Sequence, residues 1–210
     1  MVPQQIKDLL FAVNNVAVQP NLWLWRARLK ARGADRLHVH LGCGTNYIPG
    51  MLNCDGNLMR KVDLWLDLRR PLPFPDASVL VLYTSHTLEH LFPEDALKLF
   101  REIHRVVRRD GVARIAVPDL DYAFRIARGE AESLWPRKFD DHAAQAVNYL
   151  FCDGQHKYAY NYPLLASFAR QVGFTDIRQV PEEQGFLPRP YGDVMLGGEP
   201  EGSLVIEVRH

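Results

Sequence analysis

The sequence predicts an α/β fold in which helices pack on one mostly parallel sheet. Between residues 37 and 117, short apolar runs alternate with turns or with a helical stretch. Residues 78–83 are almost entirely apolar, as expected for a parallel strand that is buried on both faces. This alternation is typical of βαβ units, and a chain of 210 residues is long enough for one such domain with a well-buried core.

The individual elements follow from local apolar patterns and from the residues that flank them. Strands are predicted over residues 37–41, 51–55, 62–67, 78–83, 112–117, 174–180 and 203–208, and helices over residues 4–14, 93–108, 120–128, 139–150 and 163–172. Asp110 and Gly111 predict a turn between the long helix and the strand after it. Residues 181–202 are rich in proline and glycine, so they predict a long loop.

The first two connections between strands are unusually short. Nine residues separate Leu41 from Met51, and six separate Asp55 from Val62. A full crossover between parallel strands needs about a dozen residues or more. We therefore expect the first two connecting helices to be shortened. We also expect residues 1–36 to form a helical segment that covers the core of a domain formed by residues 37–210.

Composition narrows the expected partners and compartment. The 25 basic and 25 acidic side chains balance, so no overall positive field favours nucleic acid, and no nucleic-acid partner is expected. No apolar run approaches the ~20 residues of a membrane span, and the N-terminus is a poor signal peptide. Cys43, Cys54 and Cys152 show no CxxC spacing, so reduced thiols and a cytoplasmic location are expected. Residues 22–32 mix tryptophans with basic side chains and could touch an anionic membrane surface, although packing on the protein is commoner.

A glycine turn and two acidic residues follow predicted strands at one edge of the sheet. Gly42 and Gly44 come directly after the first strand, where a backbone without Cβ atoms can lie against a ligand. Asp55 ends the second strand and can accept hydrogen bonds from both hydroxyls of a ribose. Asp67 ends the third strand and can accept a hydrogen bond from the amino group of an adenine. The order of these features along the edge indicates an adenosyl ligand.

Four segments carry a resemblance to a known family: residues 41–44 (LGCG), 67–76 (DLRRPLPFPD), 85–90 (SHTLEH) and 101–111 (REIHRVVRRDG). In these segments the sequence resembles class I S-adenosylmethionine (SAM)-dependent methyltransferases. It is most similar to small bacterial predicted methyltransferases that are often found beside polysaccharide genes. The resemblance covers residues 37–119 and continues more loosely to the last strand.

The resemblance implies a Rossmann-like, seven-stranded sheet whose last strand is antiparallel. It implies SAM as the cofactor and methyl transfer to oxygen or nitrogen of a small or carbohydrate-linked acceptor. The implied cofactor contacts are Gly42, Cys43 and Gly44 to the methionine part, Asp55 to the ribose, Asp67 and Leu68 to the adenine, and Ser85 and His86 beside the sulfonium. Two residues depart from the pattern of the family, because His40 replaces the usual acid of the first strand and Asn46 replaces the usual third glycine.

Three histidines are candidates for catalysis. His86 follows the fourth strand at the predicted mouth of the cleft, and imidazole suits the removal of a proton from an acceptor hydroxyl. His90 shares a helical face with His86 if a helix begins at Thr87, and His156 lies in a polar and aromatic loop. A zinc site at His86, Glu89 and His90 would need a further ligand, such as Asp119 or His142, so no metal is predicted.

The insertion over residues 120–162 is expected to contact the methyl acceptor. Asp119 and Asp121 follow the fifth strand and could orient a polar substrate, or Asp119 could cap the next helix. The loop over residues 153–160 could bind a sugar ring, or it could be held in place by its tyrosines. Three other functions compete with methyl transfer. They are an NAD-dependent oxidoreductase, which would have a fuller glycine motif, a non-catalytic SAM-binding protein and, more distantly, a metal-dependent hydrolase that uses His86 and His90.

Overall fold

The structure is a computed structural model that describes residues 24, 25, 27, 29, 35–57, 59–180, 186, 187 and 199–210. Its strands are β1 (Leu37–Leu41), β2 (Leu52–Asp55), β3 (Leu64–Trp65), β4 (Val79–Ser85), β5 (Val107–Pro118), β6 (Asp176–Gln179) and β7 (Ser203–Arg209). Within the described residues they form a seven-stranded sheet in the order β3-β2-β1-β4-β5-β7-β6. Strands β1 to β5 pair in parallel, and β7 is antiparallel to both of its neighbours. The predicted fold class is confirmed.

The helices begin and end at residues that satisfy their free backbone groups. They are α1 (Pro93–Val106), α2 (Leu120–Ala127), α3 (His142–Phe151) and α4 (Tyr162–Val172), with single 3-10 turns at Leu88–His90 and Cys152–Gly154. Asp119, Asp141 and Asn161 cap the N-termini of α2, α3 and α4 by accepting a backbone N–H. Gly173 ends α4 with a φ of 110°, a conformation that glycine adopts without strain.

The first two connections contain no helix within the described residues, which confirms the predicted shortening. In place of a helix, the amide of Asn53 holds the first connection. Its Oδ1 accepts the N–H of Ile48, and its Nδ2 donates to the carbonyl oxygens of Ile48 and Met51. The carboxylate of Asp63 in turn accepts the N–H of Asn53. Polar side chains thus close the turns that the short sequence leaves without helices.

The main apolar core lies on one face of the sheet, under α1 and α4. Helix α1 buries a stripe of side chains there, and α4 adds a smaller one from Leu165 and Ala169. The residues of the stripe on α1 are Ala96, Leu99, Phe100, Ile103 and Val106. Alternate residues of the central strands, including Val39, Leu41 and Leu82, face this core. The helix-covered face therefore carries most of the apolar burial.

Part of the N-terminal segment is described and reaches the sheet. Leu29 is buried in the main core, and Trp25 packs against that core. Trp25 also lines a cleft of about 480 Å³ together with Leu37 and Met51, near the amino ends of β1 and β2. Trp25 therefore lies near the amino ends of these strands and away from their carboxyl ends. The predicted helix over residues 4–14 and most of residues 22–32 lie outside the described residues, and no described helix is both long and apolar enough to cross a bilayer.

The predicted boundary between α1 and β5 differs from the structure. Helix α1 ends at Val106, two residues early, and β5 runs through the predicted turn at Asp110 and Gly111. The pairing of β4 with β5 jumps between Val79 and Val81, so the extra residues of β5 form a bulge. A Cβ atom at Gly111 would lie 2.8 Å from the carbonyl oxygen of Val79, so the glycine permits a close approach between strands rather than a chain reversal.

Strand β3 is also shorter than predicted. It comprises only Leu64 and Trp65, whereas residues 62–67 were expected to be extended. Only these two residues pair with β2, at Cys54 and Asp55. Asp67 therefore lies two residues beyond β3 and not at the end of a strand.

A row of polar side chains crosses the other face of the sheet. This polar row comprises Asn53, His40, Tyr83, Arg114 and Glu207, which are successive partners across five neighbouring strands. Arg114 Nη1 lies 2.9 Å from Glu207 Oε1, and both side chains are buried. The carboxylate of Glu207 also accepts the N–H of Phe186. The charges are therefore paired inside the protein, where an unpaired charge is strongly destabilising.

His40 is the histidine of the polar row. Its Nδ1 lies 3.3 Å from Asn53 Oδ1, and its ring lies 4.8 Å from that of Tyr83. Burial lowers the pKa of His40 to about 4, and the contacts with Asn53 and Asp55 oppose this shift only in part. His40 is therefore neutral at pH 7 and adds no positive charge to the sheet.

Without the arginine of the polar row, the protein should unfold at a lower concentration of denaturant. We expect Arg114→Met to lower the free energy of unfolding by about 3–5 kcal/mol, because Glu207 is left buried without its counter-charge. The double variant Arg114→Met/Glu207→Gln should recover part of this loss. Urea unfolding measures both changes. As a control, Arg128→Met removes an exposed pair with Glu130 and should lower the free energy of unfolding by less than about 1 kcal/mol. Equal losses in Arg114→Met and Arg128→Met would contradict the role of burial.

His40 should make stability depend on pH. Its pKa is lowered in the folded state, so above pH 6.5 the folded and unfolded states bind the same number of protons. As the pH falls from 6.5 to about 4, the unfolded state takes up a proton that the folded state does not. We expect the free energy of unfolding to fall by roughly 3 kcal/mol over this window in the wild type, and by less in His40→Gln. If urea titrations show the same pH dependence of the free energy of unfolding in the two proteins, His40 is not the cause.

Candidate active site

The glycine turn after β1 is shaped by contact with the turn after β4. Gly42 and Gly44 have φ values of 66° and 51°, which residues other than glycine rarely adopt. A Cβ atom at Gly42 would lie 2.2 Å from Thr87 Oγ1, so the two turns can touch only with glycine at this position. Around Gly44 there is no atom within 4 Å of the place that a Cβ would occupy, counting the described residues. The turn is thus closed on the side of Thr87 and open on the side of Gly44.

Asp55 joins the end of β2 to this turn. Its Oδ2 accepts the N–H of Gly44 at 2.8 Å, and its Oδ1 accepts the N–H of Asn57 at 2.7 Å. The N–H of Cys43 donates to the carbonyl oxygen of Cys54, which places the two chain segments side by side. Each carboxylate oxygen has a second lone pair for a ligand hydroxyl. The structure therefore brings together the glycine turn and the first of the two predicted acids.

Asp67 lies on the segment that follows β3. Its carboxylate is held by Arg69 in a bidentate pair, with Nε 2.9 Å from Oδ1 and Nη2 2.9 Å from Oδ2. Leu68 is half-buried against the main core. Arg69 is a partner that the sequence pattern did not indicate, and it means that a ligand at Asp67 would meet an already paired carboxylate.

Ser85 ends β4 and donates its hydroxyl to Glu199 Oε2 at 2.8 Å. The hydroxyl of Tyr83 donates to Glu199 Oε1 at 3.0 Å, and Arg114 Nε lies 3.8 Å from the same oxygen. Sequence reasoning missed Glu199, because it follows a stretch rich in proline and glycine that predicts only a loop. The structure shows that this loop returns a carboxylate to the carboxyl end of β4.

His86 is held by contacts to both of its ring nitrogens. Its Nε2 lies 2.8 Å from Ser203 Oγ, and Ser203 donates its own hydrogen to the carbonyl oxygen of Pro200. Ser203 must therefore accept from His86, so Nε2 carries the hydrogen and Nδ1 has the lone pair of the neutral ring. Nδ1 lies 3.4 Å from Glu89 Oε1. The backbone of His86 has a φ of 48°, a strained value for a residue other than glycine, which is common at functional sites.

Glu89, His90 and His156 form a cluster beside His86. The predicted helix after Thr87 is a single 3-10 turn, which directs Glu89 into the protein and leaves His90 exposed. His156 Nε2 lies 3.9 Å from Glu89 Oε1, and the rings of the two histidines meet edge to face at 5.0 Å. The residues considered as a third ligand lie elsewhere, because Asp119 caps α2 and His142 lies against Gly129. The side chain that joins Glu89 and His90 is His156.

The loop that carries His156 is anchored on the 3-10 turn. The carbonyl oxygen of Glu89 accepts the N–H groups of Lys157 and Tyr158 at 2.6 and 3.3 Å. Tyr160 is fully buried, whereas Tyr158 keeps 38% of its surface exposed. Backbone hydrogen bonds therefore hold the loop, and one of its tyrosines still faces outward.

Comparison with known proteins agrees with the fold. A family model described as "Methyltransferase domain" matches residues 42–115, from the glycine turn to β5. Among curated proteins, none matches the sequence. The match spans Gly42, Asp55, Asp67 and His86, so the carboxyl edge of the sheet lies within the matched region.

Solved structures with the same fold include two that are described as SAM-dependent methyltransferases. One from Archaeoglobus fulgidus has a TM-score of 0.57 and 16% identity, covering 90% of this chain and 94% of that one. One from Mesorhizobium loti has a TM-score of 0.52 and 18% identity, covering 83% and 90%. PigF, solved with SAH, has a TM-score of 0.50 and 13% identity, covering 85% of this chain and 51% of its own. These likenesses show that the chain shares the fold of these proteins, and the methyltransferase model matches 74 of its 210 residues.

Proposed function

We propose that the protein transfers a methyl group from SAM to an oxygen or nitrogen atom of a small or carbohydrate-linked acceptor. The hydrogen bond from Gly44 to Asp55 is the observation that carries this proposal. It joins the glycine turn to an acid at the carboxyl edge of the sheet, and Thr87 joins the same turn to His86. The proposed cofactor-binding groups and the proposed proton acceptor therefore lie along the same carboxyl edge of the sheet.

The proposed cofactor contacts follow the order of the strands. SAM would lie with its methionine part along Gly42, Cys43 and Gly44, its ribose at Asp55, its adenine at Asp67 and Leu68, and its sulfonium near Ser85 and His86. The open side of Gly44 supports this placement, because a ligand can approach the backbone there without meeting a side chain. Two features would make the site unusual, since Arg69 already pairs with Asp67, and His40 is neutral where the family usually has an acid.

We assign the acceptor side of the site to His86, His90 and His156 and to the region of residues 120–162. SAM supplies a methyl group that is activated by the sulfonium, so the protein has to align the acceptor and take up its proton. Nδ1 of His86 is the nitrogen with a free lone pair, so it is the proposed base. His90 lies on the 3-10 turn after His86 and the partly exposed Tyr158 on the loop bound to that turn, and both would orient a polar acceptor.

A carbohydrate-linked acceptor in the cytoplasm is the substrate class we favour. The exposed tyrosine supports it, because an aromatic face with a polar tip suits a sugar ring. The likeness of the sequence to bacterial methyltransferases found beside polysaccharide genes points the same way. A screen of sugar nucleotides and small alcohols or amines with labelled SAM would test the acceptor class, and labelling of amines alone would contradict it.

Asp55 should control the affinity for the cofactor. Asp55→Asn keeps one acceptor oxygen but removes the charge, so we expect the Kd for SAM to rise by about 10–100-fold. Asp55→Ala should raise it further, because Gly44 also loses its partner. Calorimetry with SAM, S-adenosylhomocysteine and NAD measures these affinities. Asp110→Asn, an exposed acid that pairs with Arg108, is the matched control and should bind like the wild type. An unchanged Kd in Asp55→Ala would remove the ribose assignment.

His86 should control turnover more than binding. His86→Asn is the best variant, because asparagine tolerates the positive φ at this position. We expect kcat with the acceptor found by the screen to fall by about 100-fold or more, as for the loss of a general base. The Kd for SAM should stay within about threefold of the wild-type value. Full activity in His86→Asn would exclude it as the base.

A further inference from the structure

Next to the proposed base, one buried carboxylate and two histidines form a compact set of metal-ligating groups. Ligand atoms of Glu89, His90 and His156 all lie within 4.8 Å of one another. We propose that these three side chains bind one divalent metal ion of the first transition row, for which zinc is the first candidate. The binding of this ion depends on the three side chains alone and not on the proposed methyl transfer.

Hydrogen bonds determine which nitrogen of each histidine is free. His90 Nδ1 lies 3.1 Å from the carbonyl oxygen of Gln155, and His156 Nδ1 lies 2.9 Å from that of Leu150. A carbonyl oxygen can only accept, so both Nδ1 atoms carry hydrogen and the Nε2 atoms of the neutral rings have lone pairs. This use of one ring nitrogen on a carbonyl is how proteins orient histidine ligands of metals.

Glu89 provides an independent sign that a cation belongs here. Its side chain is 1% exposed, and neither carboxylate oxygen has a hydrogen-bond partner among the residues that the structure describes. A buried carboxylate without a hydrogen bond is destabilising, and such groups are rare in folded proteins. Nε2 of His156 and Nδ1 of His86 face this carboxylate at 3.9 and 3.4 Å, and neither makes a hydrogen bond with it. A metal cation bound between Glu89 and the histidines would compensate its charge.

The distances favour a metal ion over a shared proton. A hydrogen bond between nitrogen and oxygen spans about 2.7–3.2 Å. Two ligand atoms bound to one tetrahedral zinc lie about 3.4 Å apart, because each is about 2.0–2.2 Å from the ion. His156 Nε2 is 3.9 Å from Glu89 Oε1, which is too far for a shared proton and close to the spacing of two zinc ligands.

The site is closed on one side and open on the other. Glu89 is buried, whereas His90 is exposed, so the ion would lie at the border between the protein interior and solvent. A zinc ion with three protein ligands would keep a fourth position for water or a substrate atom. His86 lies beside Glu89, so a hydroxyl oxygen of the acceptor could take that position, a role that does rest on the proposed function.

Metal titration of the apoprotein tests the proposal without any acceptor. After chelation, the wild-type protein should bind one Zn²⁺ per chain with a higher Tm in its presence, and Co²⁺ should give the visible absorption of a protein-bound ion. Glu89→Gln should weaken Zn²⁺ binding by about 100-fold or more, since even residues outside the first coordination sphere change affinity by ~10–100-fold. Without metal, Glu89→Gln should melt no lower than the wild type, because its amide can donate to His156.

A second histidine pair serves as the control for nonspecific binding. The rings of His104 and His210 lie 4.4 Å apart, far along the sequence from Glu89, and could hold zinc weakly. His210→Gln should bind Zn²⁺ within about threefold of the wild-type affinity. Equal binding in the wild type and Glu89→Gln, loss of binding only in His210→Gln, or no Zn²⁺ or Co²⁺ binding to the wild type would each overturn the proposal. If Glu89→Gln does not fold, the exposed substitution His90→Gln decides by the same measurements.

Discussion

The hydrogen bond between the N–H of Gly44 and the carboxylate of Asp55 is the contact on which the carboxyl edge of the sheet, the proposed cofactor site, depends. It can form because β1 and β2 are adjacent and parallel, so the turn after one lies beside the end of the other. Thr87 fixes the opposite side of the same turn against Gly42. The turn after β1 is therefore held between the end of β2 and the turn after β4. A shift in any one of these three segments would displace the other two.

The two faces of the sheet are stabilised in different ways. Helices α1 and α4 cover one face with apolar side chains, whereas the other face carries the polar row and is covered by short connections. The shortened connections explain this difference, since a loop of nine residues cannot present the wide apolar stripe of a helix. Paired charges and a neutral histidine occupy the space instead, and they make this face sensitive to single substitutions and to pH.

Glu89 links the loop, the base and the proposed metal site. Its carbonyl oxygen holds the loop that carries His156, and its carboxylate faces His86 and His156. In the proposed acceptor side of the site, the backbone of Glu89 therefore holds the loop, and its side chain lies between His86 and His156. In the proposed function the cofactor side and the acceptor side meet at His86.

The sequence by itself determined the order of the strands along the chain, the shortened connections, the glycine turn and Asp55, because these depend on local spacing and on residues close to strand ends. It also indicated His86 and His90 together, with His156 as a separate candidate. Only the tertiary structure decided that His156 rather than Asp119 or His142 joins Glu89 and His90, that Arg69 pairs with Asp67, and that Glu199 returns to Ser85. Asp67 and Arg69 are only two residues apart, but the predicted strand over residues 62–67 did not indicate that they pair. The contacts of His156 and Glu199 join residues more than 60 positions apart, so no local pattern could reveal them. Such contacts arise when burial brings distant polar groups together, and each must then find a partner.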